Sequence, residues 1–441
     1  MGRLKLAARA ALVWLITGCL GIVVAEPGGT VPGNTGEEVR DSDSMPGAYD
    51  YDSDETLDID TDSTVDTIEE TSGWKLKGDF RPIADHQETD NRDGGSITDN
   101  ALGARFRAGA DLGVTPNLHL GARLAGTCFV FTDGTGCNPD FIVQLDAPTA
   151  SGLDNGQITF DEFYMLLHKQ EHSDVAIGRL QTRFVLRAGV FARSLDRNDS
   201  SNVNVTWTDG LHAVYRARNG WKSNLVLQRN AADGSGSVRR NPLDFASSRA
   251  RNTWFIAFEN EQPWGNIVQR GFDISYLPDS LLKNGVANGR REDYWGFVGR
   301  VVARWPRKYT GMHLRLGAEA GYAPETPTAS AVNLTGDPQG FAWDVSASLM
   351  DIRPGHHFGV QYARTGAGWL LSPQYRPNEE MLEFRYQWRP PRQPVIDMRI
   401  RWRKDIRQLS DAIHKRRVAD VFLRATWQFT RYKRMEEASN Q

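Results

Sequence analysis

Apolar and polar residues alternate along much of this chain, and the pattern is clearest between residues 382 and 402. Leu382, Phe384, Tyr386 and Trp388 are each followed by a polar residue. After a turn at residues 390–393, charged and apolar positions alternate again as far as Trp402. A period of two predicts β-strands, so this stretch is predicted to be a β-hairpin.

The two faces of this hairpin favour a membrane barrel over a soluble sheet. One face is rich in aromatic residues, and the other carries an arginine at nearly every second position. A soluble sandwich turns its polar face to bulk water and its apolar face to a packed core. A membrane barrel turns its apolar face to lipid and its polar face to a water-filled lumen. A large soluble β-protein remains the alternative against which the rest of the chain is compared.

Short and long connections alternate regularly from residue 74 onward. Seven short turns contain Pro, Gly, Asn or Ser, and they alternate with eight longer polar connections. The longer ones are residues 84–100, 132–156, 184–205, 230–250, 278–293, 324–338, 365–380 and 406–417. Bacterial outer-membrane barrels have even strand numbers, short periplasmic turns and long external loops. The predicted fold is therefore all-β: a transmembrane antiparallel β-barrel of 16 strands, with short periplasmic turns and long extracellular loops.

The tryptophans support this prediction because they sort into two predicted belts. Indole is favoured at membrane interfaces, whereas a soluble core predicts no such sorting. The short-turn belt contains Trp74, Trp221, Trp264, Trp305, Trp388 and Trp427, and the long-loop belt contains Trp207, Trp254, Trp295, Trp343 and Trp402.

The N-terminus predicts export. Residues 1–25 combine three basic residues, an apolar run and a small-residue ending, as in a secretory signal peptide. A lipoprotein cleavage box ending at Cys19 is a second interpretation. Residues 26–73 are predicted to be an acidic, disordered arm, because residues 26–70 carry a net charge of −14 and few large apolar side chains. The whole chain carries −3 and the signal peptide +3, so residues 71–441 carry +8.

Cysteine usage agrees with an exported chain. Removing the signal peptide leaves only Cys128 and Cys137, nine residues apart. An even pair in an oxidising compartment predicts a disulfide that closes a small loop, the alternative being two free thiols.

Strand parity predicts which arginines face the lumen. They are Arg105, Arg107, Arg123, Arg300, Arg315, Arg385, Arg399, Arg401, Arg403 and Arg424. A ladder of guanidinium groups in water would attract anions, since the guanidinium fork suits carboxylate and phosphate. Alternatively, these arginines pair with lumen carboxylates and only brace the wall. Glu162 and Arg270 break the parity of their strands, which predicts bulges there or a register error of one residue.

Together these features resemble a Gram-negative 16-stranded outer-membrane porin over residues 74–429. General and substrate-specific porins, including phosphate-selective ones, are similar in style. The last strand ends on aromatic Phe429, similar to the signal read by the barrel-assembly machinery, although a tail of residues 430–441 follows it. The resemblance implies a homotrimer and an inward-folded third loop at the constriction, the alternative being a purely external loop. The constriction residues would be Arg187, Arg193, Asp196, Arg197 and Asp199.

The function expected from this sequence is passive diffusion of small hydrophilic, mainly anionic, solutes across the outer membrane. Its partners would be outer-membrane lipids and those solutes. The nine histidines are scattered and no metal-ligand spacing or catalytic cluster is evident, so no enzyme, metal, cofactor or nucleic acid is expected. The alternatives are an export channel for an anionic polysaccharide and an adhesive or structural outer-membrane barrel.

Overall fold

The chain folds as a closed antiparallel β-barrel. The computed structural model describes residues 73–132, 134, 136–142, 153, 155–169, 172–182, 184–196, 205, 207–229, 243, 252–286, 289–306, 312–372, 375–391 and 394–434. The predicted signal peptide and nearly all of the acidic arm lie outside these residues. Among the described residues, no helix is long and apolar enough to cross a membrane.

Sixteen strands of the described chain form the barrel wall, as predicted. They are β1 (Gly73–Asp90), β2 (Ser96–Thr115), β3 (Leu118–Phe131), β4 (Gln157–Lys169), β5 (Ser173–Leu180), β6 (Thr208–Arg216), β7 (Trp221–Arg229), β8 (Asn252–Asn260), β9 (Ile267–Leu282), β10 (Arg291–Pro306), β11 (His313–Tyr322), β12 (Phe341–Arg353), β13 (His356–Thr365), β14 (Glu379–Trp388), β15 (Val395–Asp405) and β16 (Arg417–Arg434). Each strand pairs with its neighbours in sequence, and β1 pairs with β16 to close the ring.

Some predicted boundaries were wrong because strands continue beyond the alternating segments. Residues 84–90 and 96–100 belong to β1 and β2, so the first connection is residues 91–95. Likewise, the connection predicted at residues 278–293 shrinks to residues 283–290. The last strand runs to Arg434, so residues 430–434 extend the barrel instead of beginning the tail. Outside the lipid both strand faces can meet water, and a polar run can then be a strand without any alternation.

The outer face carries the apolar residues, and aromatic side chains mark its two ends. On β10, Trp295 and Trp305 share the outward parity and are ten residues apart. Ten residues span about 33 Å along a strand, and a tilt of about 40° reduces this to about 25 Å, the height of the apolar band of such barrels. Trp207 was assigned to the wrong environment: it is 0% exposed, and the guanidinium carbon of Arg179 lies 4.2 Å from its ring centroid.

Both strands that break the predicted alternation, β4 and β9, contain a β-bulge. In β4, Arg123 pairs with Glu162 and Leu124 with Phe160, so Asp161 is the extra residue. Asp161 and Glu162 are consequently both buried in the interior. In β9, Ile267 pairs with Ala303 and Gln269 with Val302, and the extra residue is Val268. The structure therefore favours bulges over a register error.

A disulfide joins Cys128 of β3 to Cys137 in the following connection. Their Cα atoms are 5.1 Å apart. The bridge ties the extracellular end of β3 to its loop.

The position of outward-facing residues within the bilayer can be tested by introducing a single charged side chain. Val301 is 38% exposed and lies between the two tryptophans of β10. We expect Val301→Arg to destabilise the barrel in lipid by about 2 kcal/mol, measured by urea titration in vesicles, because the new charge would lie inside the apolar band and directly opposite Arg270 on β9. The matched change Ile352→Arg, at the periplasmic end of β12, should cost about 0–1 kcal/mol. Equal losses at the two positions would contradict the assigned depth.

Candidate functional site: the lumen and its constriction

The ten arginines predicted to face the lumen all lie on the inner face. Nine of them contact a carboxylate. The pairs are Arg105–Asp79 (3.0 Å), Arg107–Asp161 (3.0 Å), Arg123–Asp161 (2.7 Å), Arg300–Asp273, Arg385–Glu383 (3.0 Å), Arg399–Asp420 (2.9 Å), Arg401–Asp420 (2.7 Å), Arg403–Glu379 (3.9 Å) and Arg424–Asp397 (2.8 Å).

These ion pairs correct the expectation of an open arginine ladder. The two partners often stand directly opposite each other, as Asp397 and Arg424 do across β15 and β16. All the arginines of this set except Arg123 and Arg315 are nearly inaccessible to solvent. Two opposite charges in contact act at a distance as a dipole, so each pair adds little to the net field of the lumen. Of the two interpretations of the sequence, the structure favours bracing of the wall for these nine residues.

Arg315 differs from the other nine. It stands directly opposite Arg304 across the β10–β11 ladder, near the periplasmic ends of both strands. Its Nε donates a hydrogen bond to Nε2 of His313 at 3.3 Å. Neither Arg304 nor Arg315 forms an ion pair with a carboxylate among the described residues. Like charges directly opposite each other destabilise a sheet, so this pair is a place where a mobile anion would be stabilised.

The third loop folds into the barrel, as the resemblance implies. Two short strands, Leu186–Arg187 and Ala192–Arg193, pair to form a hairpin. The tip of this hairpin crosses to the opposite wall, where the Val190 carbonyl accepts a hydrogen bond from Arg385 at 3.3 Å. The Leu195 amide donates to Glu319 at 2.9 Å. The hairpin thus reduces the open section of the lumen.

Small residues on three adjacent strands make room for this hairpin. A Cβ added at Gly317 would lie 2.5 Å from the Ala188 side chain, and one at Gly359 would lie 2.4 Å from Val190. Between them, the Ser348 hydroxyl donates a hydrogen bond to the Ala188 carbonyl at 2.5 Å. Larger side chains at these wall positions would displace the hairpin.

The charged residues predicted in this loop are also paired where they are described. Arg187 contacts Glu261 at 3.1 Å, and Asp196 lies 3.7 Å from Arg300. Arg193 is 1% exposed and contacts Glu383 at 2.7 Å. Burial disfavours its charged form, but Glu383 raises the pKa of the Arg193 guanidinium above its usual value, which keeps the pair ionised. Arg197 and Asp199 lie outside the described residues.

A second loop folds inward, between β13 and β14, although the sequence pattern predicted an external connection there. Trp369 is 0% exposed, and its Nε1 donates to the Leu195 carbonyl of the third loop at 2.8 Å. The Tyr294 hydroxyl donates to the Gly368 carbonyl at 2.8 Å and accepts from the Leu370 amide at 2.9 Å. The Trp-Leu-Leu run at residues 369–371, unusual in a polar loop, is the sequence signal that could have revealed this packing.

The two inward loops share an apolar cluster with the wall formed by β9–β14. From the loops come Leu195, Trp369, Leu370, Leu371 and Tyr375, and from the wall come Leu277, Tyr294, Val298, Ala342, Ala363 and Met381. Packing of this kind excludes water. Any aqueous path must therefore pass beside this cluster.

Docking of the hairpin can be tested by adding one methyl group. We expect Gly359→Ala to displace the hairpin, because the new Cβ would overlap Val190 and Phe191. Trypsin cleavage after the buried Arg193 should then become several-fold faster, measured by mass spectrometry of the folded protein. Gly299→Ala is the matched control, because a Cβ there meets nothing within 4 Å. Equal protection of both variants would contradict the docked position.

The fold is similar to solved outer-membrane proteins. OprB of Pseudomonas putida is 11% identical with a TM-score of 0.50, over 80% of this chain and 94% of that one. An anion-selective porin from Comamonas acidovorans is 8% identical with a TM-score of 0.48, over 80% and 100%. OccAB4 of Acinetobacter baumannii is 10% identical with a TM-score of 0.47, over 82% and 99%.

Comparison of sequences gives no further assignment, since no protein-family model and no curated protein matches the chain. The identities to the solved structures are low, and such likeness is informative about fold alone. A closed barrel of even strand number with an apolar, aromatic-edged outer face is the architecture of the Gram-negative outer membrane, and this is the location of the protein. The chain therefore has the fold of the sixteen-stranded outer-membrane porins.

Proposed function

We propose that this protein is a passive diffusion channel for small hydrophilic solutes and that it prefers anions. The observation that carries the preference is the Arg304–Arg315 pair at the inner mouth. A paired lumen charge contributes little to the net field, so the sign of selectivity depends on the few charges without partners. Arg389 lies close enough to Arg315 to add to the same positive field, and Asp351 opposes it from nearby.

The inward hairpin supports the channel part of this proposal. It narrows the lumen at mid-height and is fixed there by contacts with four or more strands of the opposite wall. A fixed constriction sets a size limit on solutes, whereas a net positive mouth raises the local concentration of anions. At physiological ionic strength this attraction extends over about 8 Å, so it acts on solutes that have already reached the mouth.

The selectivity can be measured as the reversal potential of the refolded protein in a planar bilayer with a tenfold KCl gradient. We expect step-like conductance with chloride preference in the wild type. Arg304→Gln together with Arg315→Gln should move the reversal potential toward cation preference, because two arginines that stand opposite each other at the mouth lose their charge. Arg431→Gln, on the outer face, is the control and should leave the potential unchanged. Absence of steps would overturn the channel, and cation preference in the wild type would overturn the anion preference.

A second variant tests the constriction. Asp196 faces Arg300, which also contacts Glu319 at 3.0 Å and Asp273. We expect Asp196→Asn to increase chloride preference, because one negative charge leaves the narrow section while Arg300 keeps its contacts with Asp273, Glu319 and Glu259 and the wall stays folded. Gel mobility of the unheated protein checks folding. An unchanged reversal potential in a folded variant would show that the hairpin does not contact the ion path.

Assembly as a homotrimer and insertion by the barrel-assembly machinery stay predictions of the resemblance. The first strand, β1, begins at Gly73 at the periplasmic end of the barrel, and the predicted acidic arm precedes it in the sequence. A polysaccharide exporter is the alternative that a non-conducting barrel would favour.

A further inference from the structure

We propose that the outer face of β7–β9 binds the phosphate of a glycerophospholipid in the periplasmic leaflet, with Arg270 as the anion ligand. Unlike the lumen arginines predicted from parity, Arg270 points toward lipid. Arg270 and Phe272 are two residues apart in the regular part of β9 that follows the bulge at Val268, so they share one face, and Phe272 is well exposed. Its cross-strand neighbour on β10 is Val301, which also faces outward.

Two tryptophans hold the guanidinium in place. Its carbon lies 5.6 Å from the ring centroid of Trp221 and 5.8 Å from that of Trp264. Trp264 is 69% exposed and belongs to the short turn between β8 and β9. The three side chains therefore lie at the periplasmic end of the apolar band, at the depth where indoles meet lipid headgroups.

The charge of Arg270 is not neutralised by the described part of the protein. No carboxylate pairs with it there, and its Nη1 is buried without a hydrogen-bond partner. Asn260, directly opposite on β8, cannot supply an acceptor readily. Its amide donates to the Asn219 carbonyl, and its side-chain oxygen accepts from the Gln262 amide at 3.0 Å.

A phosphodiester supplies the negative charge and the hydrogen-bond acceptors that Arg270 lacks among the described residues. It carries one negative charge and several acceptor oxygens, and it suits the guanidinium fork. The two indoles restrict the motion of the Arg270 side chain, so this side chain loses less conformational entropy when its guanidinium binds an anion. At this depth in the periplasmic leaflet, lipid phosphates are the abundant anions, and the exposed Trp264 ring offers an apolar surface to the adjoining acyl chain.

The test is native mass spectrometry of the detergent-purified, folded protein with added phosphatidylglycerol. Loss of a charge-assisted pair should weaken lipid binding by roughly ten- to a hundredfold in Arg270→Gln. The matched control is Arg431→Gln: this exposed arginine stands opposite outward-facing Leu76 at the same end of the barrel, and its guanidinium does not lie over any described tryptophan. Trp264→Leu, in an exposed turn, is a second variant and should weaken binding by a smaller factor.

Three results would overturn the proposal. Equal losses in Arg270→Gln and Arg431→Gln would indicate a general interfacial charge effect. Displacement of the lipid by millimolar inorganic phosphate would indicate a free-anion site. A change of oligomeric state in Arg270→Gln, with lipid binding unaltered, would show that this face contacts another copy of the chain.

Discussion

Lipid on one side of every strand is the constraint on which this structure depends. Because a charged side chain at mid-depth in hydrocarbon is costly, the paired arginines of the wall are directed inward, where all but Arg123 are nearly inaccessible to solvent. The interior must then neutralise them itself. Pairs such as Arg424–Asp397 and Arg401–Asp420 do so across adjacent strands, and the polar face of the wall becomes a network of ion pairs.

This neutralisation changes how selectivity arises. In a lumen of matched pairs, the number of arginines says little about the ions that pass. Under the proposed function the imbalance decides the selectivity, and Arg304 and Arg315, which form no ion pair among the described residues, contribute to it near the periplasmic end. The hairpin and the second inward loop occupy the side of β9–β14 with apolar side chains, so the constriction is asymmetric. The two loops narrow the lumen on one side of the barrel, and the Arg304–Arg315 pair leaves positive charge unbalanced at its periplasmic mouth.

The sequence predicted the features that depend on alternation. Strand number, the inward set of arginines and the two irregular strands could all be found from parity, because a bulge shifts every following residue to the other face. The partner of each arginine could not be found this way, since Asp161 reaches Arg107 and Arg123 only through a bulge whose position needs the register of β3 and β4. Alternation also says nothing about the environment of Trp207 and Trp369, because both lie outside the strands and indole suits both a membrane interface and a packed interior.

The contacts of the third-loop hairpin link the constriction to the order in which the barrel can be built. Arg193 meets Glu383, 190 positions later in the chain, and the Leu195 carbonyl meets Trp369, 174 positions later. Contacts so distant in sequence form only after long chain segments have been brought together, at a large entropic cost. The tip of the hairpin, residues 188–191, therefore has no docking surface until the C-terminal third of the chain is in place, and the same third closes the ring against β1. A partly folded barrel consequently lacks both the β1–β16 closure and the constriction, and the narrow passage forms only when the wall is complete.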